Sequence, residues 1–264
     1  RAKRGIMRVL IFGLPGSGKT YLAERLVEYL GDKVAWFNAD KVREEADDWD
    51  FSEEGRLRQN QRMIDLCINA ELEGKIAIAD FVAPFESARN KFFADYEIFV
   101  DTIEAGRFED TNKVFERPMA TDYNVREQRG DVDAKIIAYE LGQRFIWDNQ
   151  APTTQMLGRF QPWHPGHQAL FDRALAKHGQ VFLMVRDMPT DEKNPFPVHE
   201  VVENLQQSLH KFAGKVKIQV VPNLLNITYG RDVGYKIEQE VFDDAIHDIS
   251  ATKIREQMRE EGKL

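Results

Sequence analysis

Gly13-Leu14-Pro15-Gly16-Ser17-Gly18-Lys19-Thr20 matches the phosphate-binding pattern G-x-x-x-x-G-K followed by Ser or Thr, and its surroundings decide the fold. The apolar run at 8–12 predicts a strand before it, and the helical spacing of apolar residues at 22–30 predicts an amphipathic helix after it. At such a strand-to-helix turn, glycines let backbone amides reach phosphate oxygens, Lys19 supplies a mobile charge, and Thr20 can reach a magnesium ion. The stretch therefore predicts a site for ATP and Mg²⁺, with Lys19 as a catalytic residue.

Three further apolar runs, separated by helical segments, predict strands at Val34–Asn38, Ile76–Ala79 and Tyr96–Val100. Alternating strands and helices predict a parallel sheet flanked by helices. Asp40 follows the second strand and Asp80 the third, at the edge of the sheet where ligands gather. We expect Asp40 to orient or deprotonate an acceptor hydroxyl and Asp80 to reach the metal through water. Capping of a helix that begins at Lys41 is the other role open to Asp40, and the two roles are compatible.

Several of these segments resemble adenylylsulfate kinase, over about residues 7 to 117. The phosphate loop matches, residues 38–43 are similar to that family's Asp-Gly-Asp-Asn-Val-Arg segment, and residues 51–56 are similar to its Phe-Ser-Glu-x-Asp-Arg stretch. Ala83-Pro84-Phe85 with Arg89 resembles its Ser-Pro-Tyr and Arg segment. The resemblance implies a P-loop NTPase-type domain that transfers phosphate from ATP to an anionic acceptor held by arginines, here Arg43, Arg56 and Arg89, with Arg107 in the lid.

The lid is where the chain departs from that family. A Gly-Leu-Tyr-Lys-Lys-Ala-Arg-like run belongs there, whereas this chain has Glu104 to Lys113 without it. We therefore expect kinase chemistry to transfer to this chain, but not adenylylsulfate as its acceptor.

A second nucleotide-handling signature, Gly158-Arg159-Phe160-Gln161-Pro162-Trp163-His164-Pro165-Gly166-His167, contains an HxGH pattern between the short apolar run at 155–157 and a helical run that begins at Gln168. Two imidazoles three positions apart at a helix start can converge on one phosphate and donate hydrogen bonds to oxygens that gain charge in a transition state. A zinc site is the alternative, but no third and fourth ligand are apparent nearby. His164 and His167 are therefore predicted to be catalytic without a metal.

Two later segments add candidate residues. The run at 181–187 predicts a buried strand with Arg186 at its carboxyl end. The segment Asp248-Ile249-Ser250-Ala251-Thr252-Lys253-Ile254-Arg255 predicts a helix start whose hydroxyls, amides and cations could grip a triphosphate. Taken alone, Ser250 would be an ordinary N-cap.

Residues 154 to 264 resemble the HxGH nucleotidyltransferases and look most like nicotinamide mononucleotide adenylyltransferase. The signature at 158–167, Asn194-Pro195-Phe196 and the Ile-Ser-x-Thr-x-Ile-Arg pattern at 249–255 carry the resemblance. It implies a Rossmann-like domain in which Arg186 and Asn194 bind the acceptor, and in which the nucleotide is bound by Gly158, Arg159, Phe160, His167, Ser250, Thr252 and Arg255. Polyol and choline cytidylyltransferases usually open with Gly-Thr-Phe-Asp, which this chain lacks, so ATP is favoured over CTP.

The two halves meet in a polar segment. Residues 118–130 show no clear period, residues 131–147 predict a helix that could pack on either half, and the residues at 149–154 interrupt the pattern. We place the boundary near Gln150, which gives a kinase-like domain at 1–150 and a nucleotidyltransferase-like domain at 151–264.

Composition limits the class of protein. The chain has 264 residues, 42% of them hydrophobic and 30% charged, with no apolar run near the ~20 residues needed to span a bilayer. The net charge of −8 argues against a general nucleic-acid binder. The single cysteine, Cys67, cannot form an intramolecular disulfide, and no secretory segment is seen, so we expect a buried thiol and a cytoplasmic protein. Assembly of the chain into a homo-oligomer is also compatible with the sequence.

A kinase makes a phosphate monoester, and an HxGH enzyme uses such a phosphate to attack a nucleoside triphosphate with release of pyrophosphate. The sequence therefore favours a bifunctional enzyme that phosphorylates a small metabolite and then adenylylates it. Three alternatives stay open: sulfate activation by an ATP sulfurylase-like and adenylylsulfate kinase pair, a CTP-dependent cytidylyltransferase for a sugar or polyol phosphate, and a nucleotide-sensing or scaffolding protein. ATP sulfurylase carries a Gln-Thr-Arg-Asn-Pro-x-His segment that is not present at 158–167.

Overall fold

The computed structural model describes residues 7–228, 230–231, 234, 236–240 and 249–264. The chain divides into two compact units, one ending at Ile146 and the other beginning at Trp147. Each unit contains a parallel sheet flanked by helices, which confirms the predicted α/β fold. The assignment of domains to 1–150 and 151–264 stays a prediction.

The first unit has a five-stranded parallel sheet in the order β2-β3-β1-β4-β5. Its strands are β1 Met7–Phe12, β2 Val34–Asn38, β3 Ile76–Phe81, β4 Tyr96–Val100 and β5 Tyr123–Val125. Its α-helices are α1 Lys19–Leu30, α2 Ala39–Glu45, α3 Glu53–Leu72, α4 Glu86–Phe92, α5 Glu109–Val114 and α6 Val132–Phe145, and a short 3₁₀ turn covers Gly31–Lys33. The four strands expected from the sequence are all present, and β3 extends through Asp80.

The central strand β1 is apolar because both faces of a parallel sheet are covered by helices. Leu10 and Phe12 of β1 join a core cluster with Ala79 of β3 and with Met63 and Cys67 of α3. Cys67 is fully buried, and burial raises the pKa of its thiol to about 12, as expected for an inert side chain. This packing fixes the carboxyl edge of the sheet, where the candidate site lies.

The segment at 118–146 contains more regular structure than its sequence pattern predicts, and it belongs to the first unit. The stretch 118–130, without a clear period, contains the edge strand β5, which is too short for an alternating pattern to reveal. The predicted helix at 131–147 is α6, which packs against α1 within the first unit.

The second unit has three parallel strands in the order β6-β7-β8 among its described residues. They are β6 Thr154–Gly158, β7 Val181–Arg186 and β8 Val216–Val221, and a 3₁₀ turn covers His210–Phe212. The helices are α7 Pro165–His178, α8 Val198–Ser208 and, after residues outside the described set, α9 Ala251–Glu260. The helix expected to begin at Gln168 begins at Pro165, so His167 lies in its first turn. Asp248, the first residue of the predicted grip, lies outside the described residues.

Candidate active sites

The phosphate loop connects the end of β1 to the start of α1. Gly13, Gly16 and Gly18 have φ angles of 150°, 90° and 102°, a region that favours glycine. A Cβ atom on Gly13 would lie 2.4 Å from the carbonyl oxygen of Val100 in β4. Glycine is therefore required at position 13 by the close approach of two strands, in addition to its backbone freedom.

The carbonyl oxygen of Ser17 ties this loop to its neighbours. It accepts hydrogen bonds from Thr102 Oγ1 at 2.6 Å and from Gln128 Nε2 at 3.1 Å. The Ser17 hydroxyl is fully buried and makes no hydrogen bond with any residue that the structure describes. Thr102 and Gln128 support the loop although neither belongs to the phosphate-binding pattern at 13–20.

Lys19 lies at the first position of α1, and its Nζ donates a hydrogen bond to the Leu14 carbonyl oxygen at 2.9 Å. Burial lowers the pKa of Lys19 to about 8, against the opposing pull of Asp80 and Asp40. The Lys19 amine is thus held over the loop, and its pKa lies about one unit above neutral pH.

Asp80 is the most strongly bound carboxylate of this site. It is 2% exposed and accepts hydrogen bonds from Trp36 Nε1 at 2.8 Å, Thr20 Oγ1 at 2.9 Å and Asn38 Nδ2 at 3.0 Å. Burial raises the pKa of Asp80, and these hydrogen bonds oppose the rise. In the register of β2 and β3, Asn38 lies directly beside Asp80.

Thr20 and Asp80 offer the oxygen donors that Mg²⁺ prefers. Magnesium sites in nucleotide enzymes use one or two protein ligands and complete the shell with phosphate oxygens and water. The ranges that the structure describes contain no group of three His, Cys, Asp or Glu side chains that could hold a metal unaided. The residues present therefore fit an ion that arrives with a nucleotide.

Asp40 is the second residue of α2 and is exposed toward a cavity. The cap of α2 is Asn38, whose side-chain oxygen accepts a hydrogen bond from the Lys41 amide at 3.1 Å. The alternative in which Asp40 caps a helix starting at Lys41 is wrong, because the helix begins two residues earlier, at Ala39, with Asn38 as its cap. The Asp40 carboxylate is free of that duty.

A cavity of about 700 Å³ extends from the phosphate loop across the carboxyl edge of the sheet. Its walls include Asp40, Asp80 and three of the predicted arginines, Arg43, Arg56 and Arg107. Three aromatic side chains, each about half exposed, also line it: Trp49, Phe51 and Phe108. The cavity thus combines cations with flat apolar surfaces.

Arg43 and Arg56 hold in place the loop at 48–51, which carries the aromatic side chains of Trp49 and Phe51. Arg43 Nη1 donates to the carbonyl oxygens of Asp48 and Asp50 at 2.9 and 3.1 Å, and Arg56 Nε donates to that of Phe51 at 2.8 Å. Both guanidinium groups lie near the Phe51 ring, with Arg43 4.7 Å from its centroid. These arginines reach the cavity while they order its wall.

Arg89 does not line this cavity, although the sequence grouped it with Arg43 and Arg56. It is 3% exposed, and its guanidinium donates to the carbonyl oxygens of Ala83, Pro84 and Glu116. A motif cannot show whether the partners of an arginine are backbone carbonyls or a ligand. Arg43 is also buried, at 5% exposed, and also donates to backbone carbonyls, but it lines the cavity, whereas Arg89 does not.

In the second unit the two motif histidines stack. His164 is the N-cap of α7, and its Nδ1 accepts a hydrogen bond from the His167 amide at 3.3 Å, while the two ring centroids lie 3.7 Å apart. Burial lowers the pKa of His164, and it lowers that of His167 to about 3, with the neighbouring His164 adding to the effect. Both rings are therefore neutral near pH 7, and the cap leaves Nε2 of His164 as its N–H donor.

Aromatic side chains pack around these histidines. Trp163 stacks on His167 with ring centroids 5.4 Å apart, and Phe160 meets the same ring edge-on at 5.1 Å. Phe160 adopts a left-handed φ of 51°, and a Cβ on Gly158 would lie 2.7 Å from its ring. Gly158 is thus needed so that Phe160 can fold back toward the histidines.

The structure brings most of the other predicted residues toward this motif. Arg159 Nη1 lies 3.5 Å from Asn194 Oδ1, and Arg255 Nη1 donates to the Gln161 carbonyl oxygen at 2.7 Å and Nη2 to Thr252 Oγ1 at 3.3 Å. Ser250 caps α9, its hydroxyl accepting from the Lys253 amide. Arg186, at the end of β7, donates to Asn223 Oδ1.

Sequence reasoning missed several residues of both sites. Trp36, Trp49 and Phe108 carry no motif, and only the unusual placing of aromatics among charged residues near 49–51 offered a signal. Gln161 lies inside the second signature, yet only its partners in space reveal what its side chain does.

The two units define the class of this protein: a phosphate-loop nucleotide-binding unit joined to an HxGH nucleotide-binding unit, both α/β. Among the described residues, no helix is long and apolar enough to cross a membrane.

Comparisons with known proteins show what each half of the chain is similar to. The family described as adenylylsulphate kinase matches residues 5–125, and the family described as cytidylyltransferase-like matches residues 156–228. A probable adenylyl-sulfate kinase of Aeropyrum pernix is 37% identical over 92 residues, which cover 33% of this chain and 50% of the relative. The chain thus aligns with half the length of that curated relative.

Solved structures similar to about half of this chain include two APS kinases. The adenylylsulfate (APS) kinase of Mycobacterium tuberculosis in complex with AMPPNP and APS is 22% identical, covers 51% of this chain and 95% of that chain, and has a TM-score of 0.43. A hexameric APS kinase from Thiobacillus denitrificans is 21% identical, covers 53% and 29%, and has a TM-score of 0.44. The two family matches and the curated relative show an adenylylsulfate kinase-like domain followed by a cytidylyltransferase-like nucleotidyltransferase domain, as the sequence resemblances indicated.

Proposed function

We propose that this protein is a bifunctional enzyme that phosphorylates a hydroxyl of a small metabolite with ATP and then transfers AMP from a second ATP to the phosphorylated product, releasing pyrophosphate. The observation that carries the proposal is the cavity of about 700 Å³ that joins the phosphate loop to Asp40 and three arginines. A cavity of this size accommodates a small-molecule acceptor beside a nucleotide's terminal phosphate.

In the kinase unit the acceptor oxygen attacks the γ-phosphorus, and the bond from that phosphorus to the bridging oxygen of ADP breaks. Such a transfer needs positioning and charge stabilisation more than covalent chemistry. The loop amides and Lys19 bind the phosphates, and Asp40 takes the proton of the hydroxyl. Thr20, and Asp80 through water, would hold Mg²⁺, which would supply neutralisation of the phosphate charge.

The lining of the cavity supports an acceptor with a flat ring and a negative charge. Trp49, Phe51 and Phe108 present half-exposed aromatic faces, and Arg43, Arg56 and Arg107 stand among them. Aromatic faces favour stacking with planar groups, and guanidinium groups favour carboxylates and phosphates.

In the transferase unit a phosphate oxygen of the acceptor attacks the α-phosphorus of a nucleoside triphosphate, and pyrophosphate leaves. His164 and His167, as neutral imidazoles, donate hydrogen bonds to the oxygens that gain charge. Arg159, Ser250, Thr252 and Arg255 bind the triphosphate, and Asn194 and Arg186 face the acceptor. The product of the first reaction is the kind of substrate that the second consumes.

Two other functions each have an observation in their favour. The likeness to a probable adenylyl-sulfate kinase favours sulfate activation, in which the second unit makes adenylylsulfate and the first phosphorylates it. The cytidylyltransferase-like family match favours CTP as the donor for a sugar or polyol phosphate.

One experiment separates these functions. A metabolite extract is incubated with Mg²⁺, ATP and CTP and with wild-type, Lys19→Ala or His164→Ala protein, and the products are identified by mass spectrometry. We expect the His164→Ala protein to accumulate a new phosphate monoester, whose mass names the acceptor. Accumulation of adenylylsulfate by the Lys19→Ala protein would instead establish sulfate activation and overturn the proposal, and products carrying cytidine would establish CTP as donor.

A further inference from the structure

Gln161 is a buried residue of the HxGH signature whose two ends are both engaged. The residue is 6% exposed. Its side-chain Nε2 donates to the Phe196 carbonyl oxygen at 2.8 Å, and its Oε1 accepts from the Phe196 amide at 3.0 Å. The primary amide therefore pairs with both polar groups of one backbone residue, an arrangement that fixes the position as well as the orientation of Phe196.

The backbone of Gln161 serves a different partner. Its carbonyl oxygen accepts a hydrogen bond from Arg255 Nη1 at 2.7 Å, and Arg255 is itself 6% exposed. Buried arginines are rare unless their charge is matched by hydrogen-bond acceptors. This carbonyl thus sets where the guanidinium of α9 lies beside the motif.

The segment that contains Phe196 is organised around Asp191. Asp191 Oδ1 accepts hydrogen bonds from the amides of Lys193 and Asn194 and from Asn194 Nδ2, at 2.8, 2.7 and 2.9 Å. Arg259 of α9 donates to the Glu192 carbonyl oxygen at 2.6 Å. Asn194, which is 2% exposed, therefore belongs to a small closed turn. The Gln161 side chain sets the position of this turn beside the motif, because it holds Phe196, two residues after Asn194.

We propose that Gln161 is the positioning residue of the nucleotidyl transfer, and that it divides its work: its side chain places the acceptor-side Asn194, and its backbone carbonyl places the triphosphate-side Arg255. The inference rests on the proposed function, in which Asn194 faces the acceptor and Arg255 the nucleotide. A change of the Gln161 side chain removes its contact with Phe196 and keeps the backbone hydrogen bond to Arg255. Binding of the acceptor should therefore weaken while binding of ATP changes little.

The test uses Gln161→Met, which keeps the length and lacks both polar atoms. Gln180→Met is the matched control, because Gln180 is also 6% exposed, lies in the same unit, and donates at 2.7 Å to the Asp148 carbonyl oxygen and to Thr153 Oγ1. Both variants lose the hydrogen bonds of one buried glutamine, and only the first loses contact with the Asn194 turn.

The acceptor probe is a metabolite extract phosphorylated beforehand by ATP and the His164→Ala protein, and the readout is pyrophosphate release. We expect Gln161→Met to raise the half-saturating amount of this extract about tenfold, the weight of one or two hydrogen bonds, and to change the KM for ATP less than about threefold. Hydrogen exchange should also become faster at the Phe196 amide. In Gln180→Met the ratio of the half-saturating amount of extract to the KM for ATP should stay at the wild-type value.

The outcomes separate the two proposals. Wild-type protein that releases no pyrophosphate overturns the proposed nucleotidyl transfer, and this inference falls with it. An active wild type together with an equal rise of both constants in Gln161→Met, or with a loss of rate alone, overturns the positioning role and leaves the proposed function standing.

Discussion

Burial lowers the pKa of both Lys19 and His167, but the consequence for function differs between the two side chains. For both groups, loss of water disfavours the charged form, which lowers the pKa of Lys19 to about 8 and that of His167 to about 3. Lys19 must carry charge to bind a phosphate, whereas His167 can donate a hydrogen bond as a neutral ring. The same physical effect therefore makes one site sensitive to alkaline pH and leaves the other untitrated near pH 7.

The affinity of the kinase unit for a non-hydrolysable ATP analogue should fall as the pH rises above about 8. The amine is charged below its pKa of about 8 and neutral above it, so binding must recover a proton, at a cost of up to about tenfold in Kd per pH unit. Titration calorimetry at several pH values measures this. Lys19→Arg should bind more weakly and with a flat profile, because guanidinium stays charged. A flat wild-type profile would contradict the assignment of Lys19 as the phosphate ligand.

His167 should make the fold sensitive to acid. Its pKa is about 3 in the folded protein and near 6.5 when unfolded, so the unfolded state binds more protons as the pH falls below 6.5. The free energy of unfolding should therefore decrease by up to about 1.4 kcal/mol per pH unit in that window. Denaturant midpoints between about pH 4 and 7 report it. His167→Gln should flatten the dependence, and the same change at the exposed His199 should not.

At the residue scale, the sequence predicted those members of the sites that belong to a contiguous motif. Lys19, Thr20, His164 and His167 were placed correctly at helix starts because a loop pattern implies its own local geometry. Arg89 shows the limit, since its burial and carbonyl partners depend on segments distant in sequence. Whether each placed residue performs its assigned role stays a prediction.

At the scale of elements, the join between β1 and α1 depends on a backbone contact with β4. Gly13→Ala should destabilise the first unit by about 2–6 kcal/mol, since strained backbone costs about 1–3 kcal/mol and a forced contact adds a similar amount. Gly16→Ala is the control, because its φ is also positive but a Cβ there meets nothing within 4 Å. Its cost should be limited to the backbone strain. Urea unfolding of both variants decides, and equal costs would show that contact with Val100 is unimportant.

Element prediction succeeded where a run was long enough to show a period. The strands β1 to β4 and helix α6 were visible in this way, whereas β5 spans only Tyr123–Val125 and α5 only Glu109–Val114. Such short elements are stabilised by neighbours that pair with them, so their own residues carry little signal. The lid region at 104–113, which contains most of α5, was for the same reason the part of the first unit that the sequence described least.

At the scale of the whole molecule, the two sites use separate residues on separate units. A mixture of Lys19→Ala and His164→Ala proteins should therefore restore the complete conversion that neither performs alone, because each variant keeps one intact site. The measurement is the yield of final product in the mixture and in each variant. Persistent failure of the mixture, with both single reactions intact, would mean that the intermediate is handed over only within one chain.

The fully buried Cys67 has a practical consequence for studies of this chain. It is the only cysteine, and burial holds the pKa of its thiol at about 12, so that at neutral pH almost no thiolate is present to react with maleimides or spin labels. A cysteine introduced at an exposed position of each unit could thus be labelled without first removing the native one. The wild-type chain already provides an unreactive background for measuring distances between its two halves by spectroscopy.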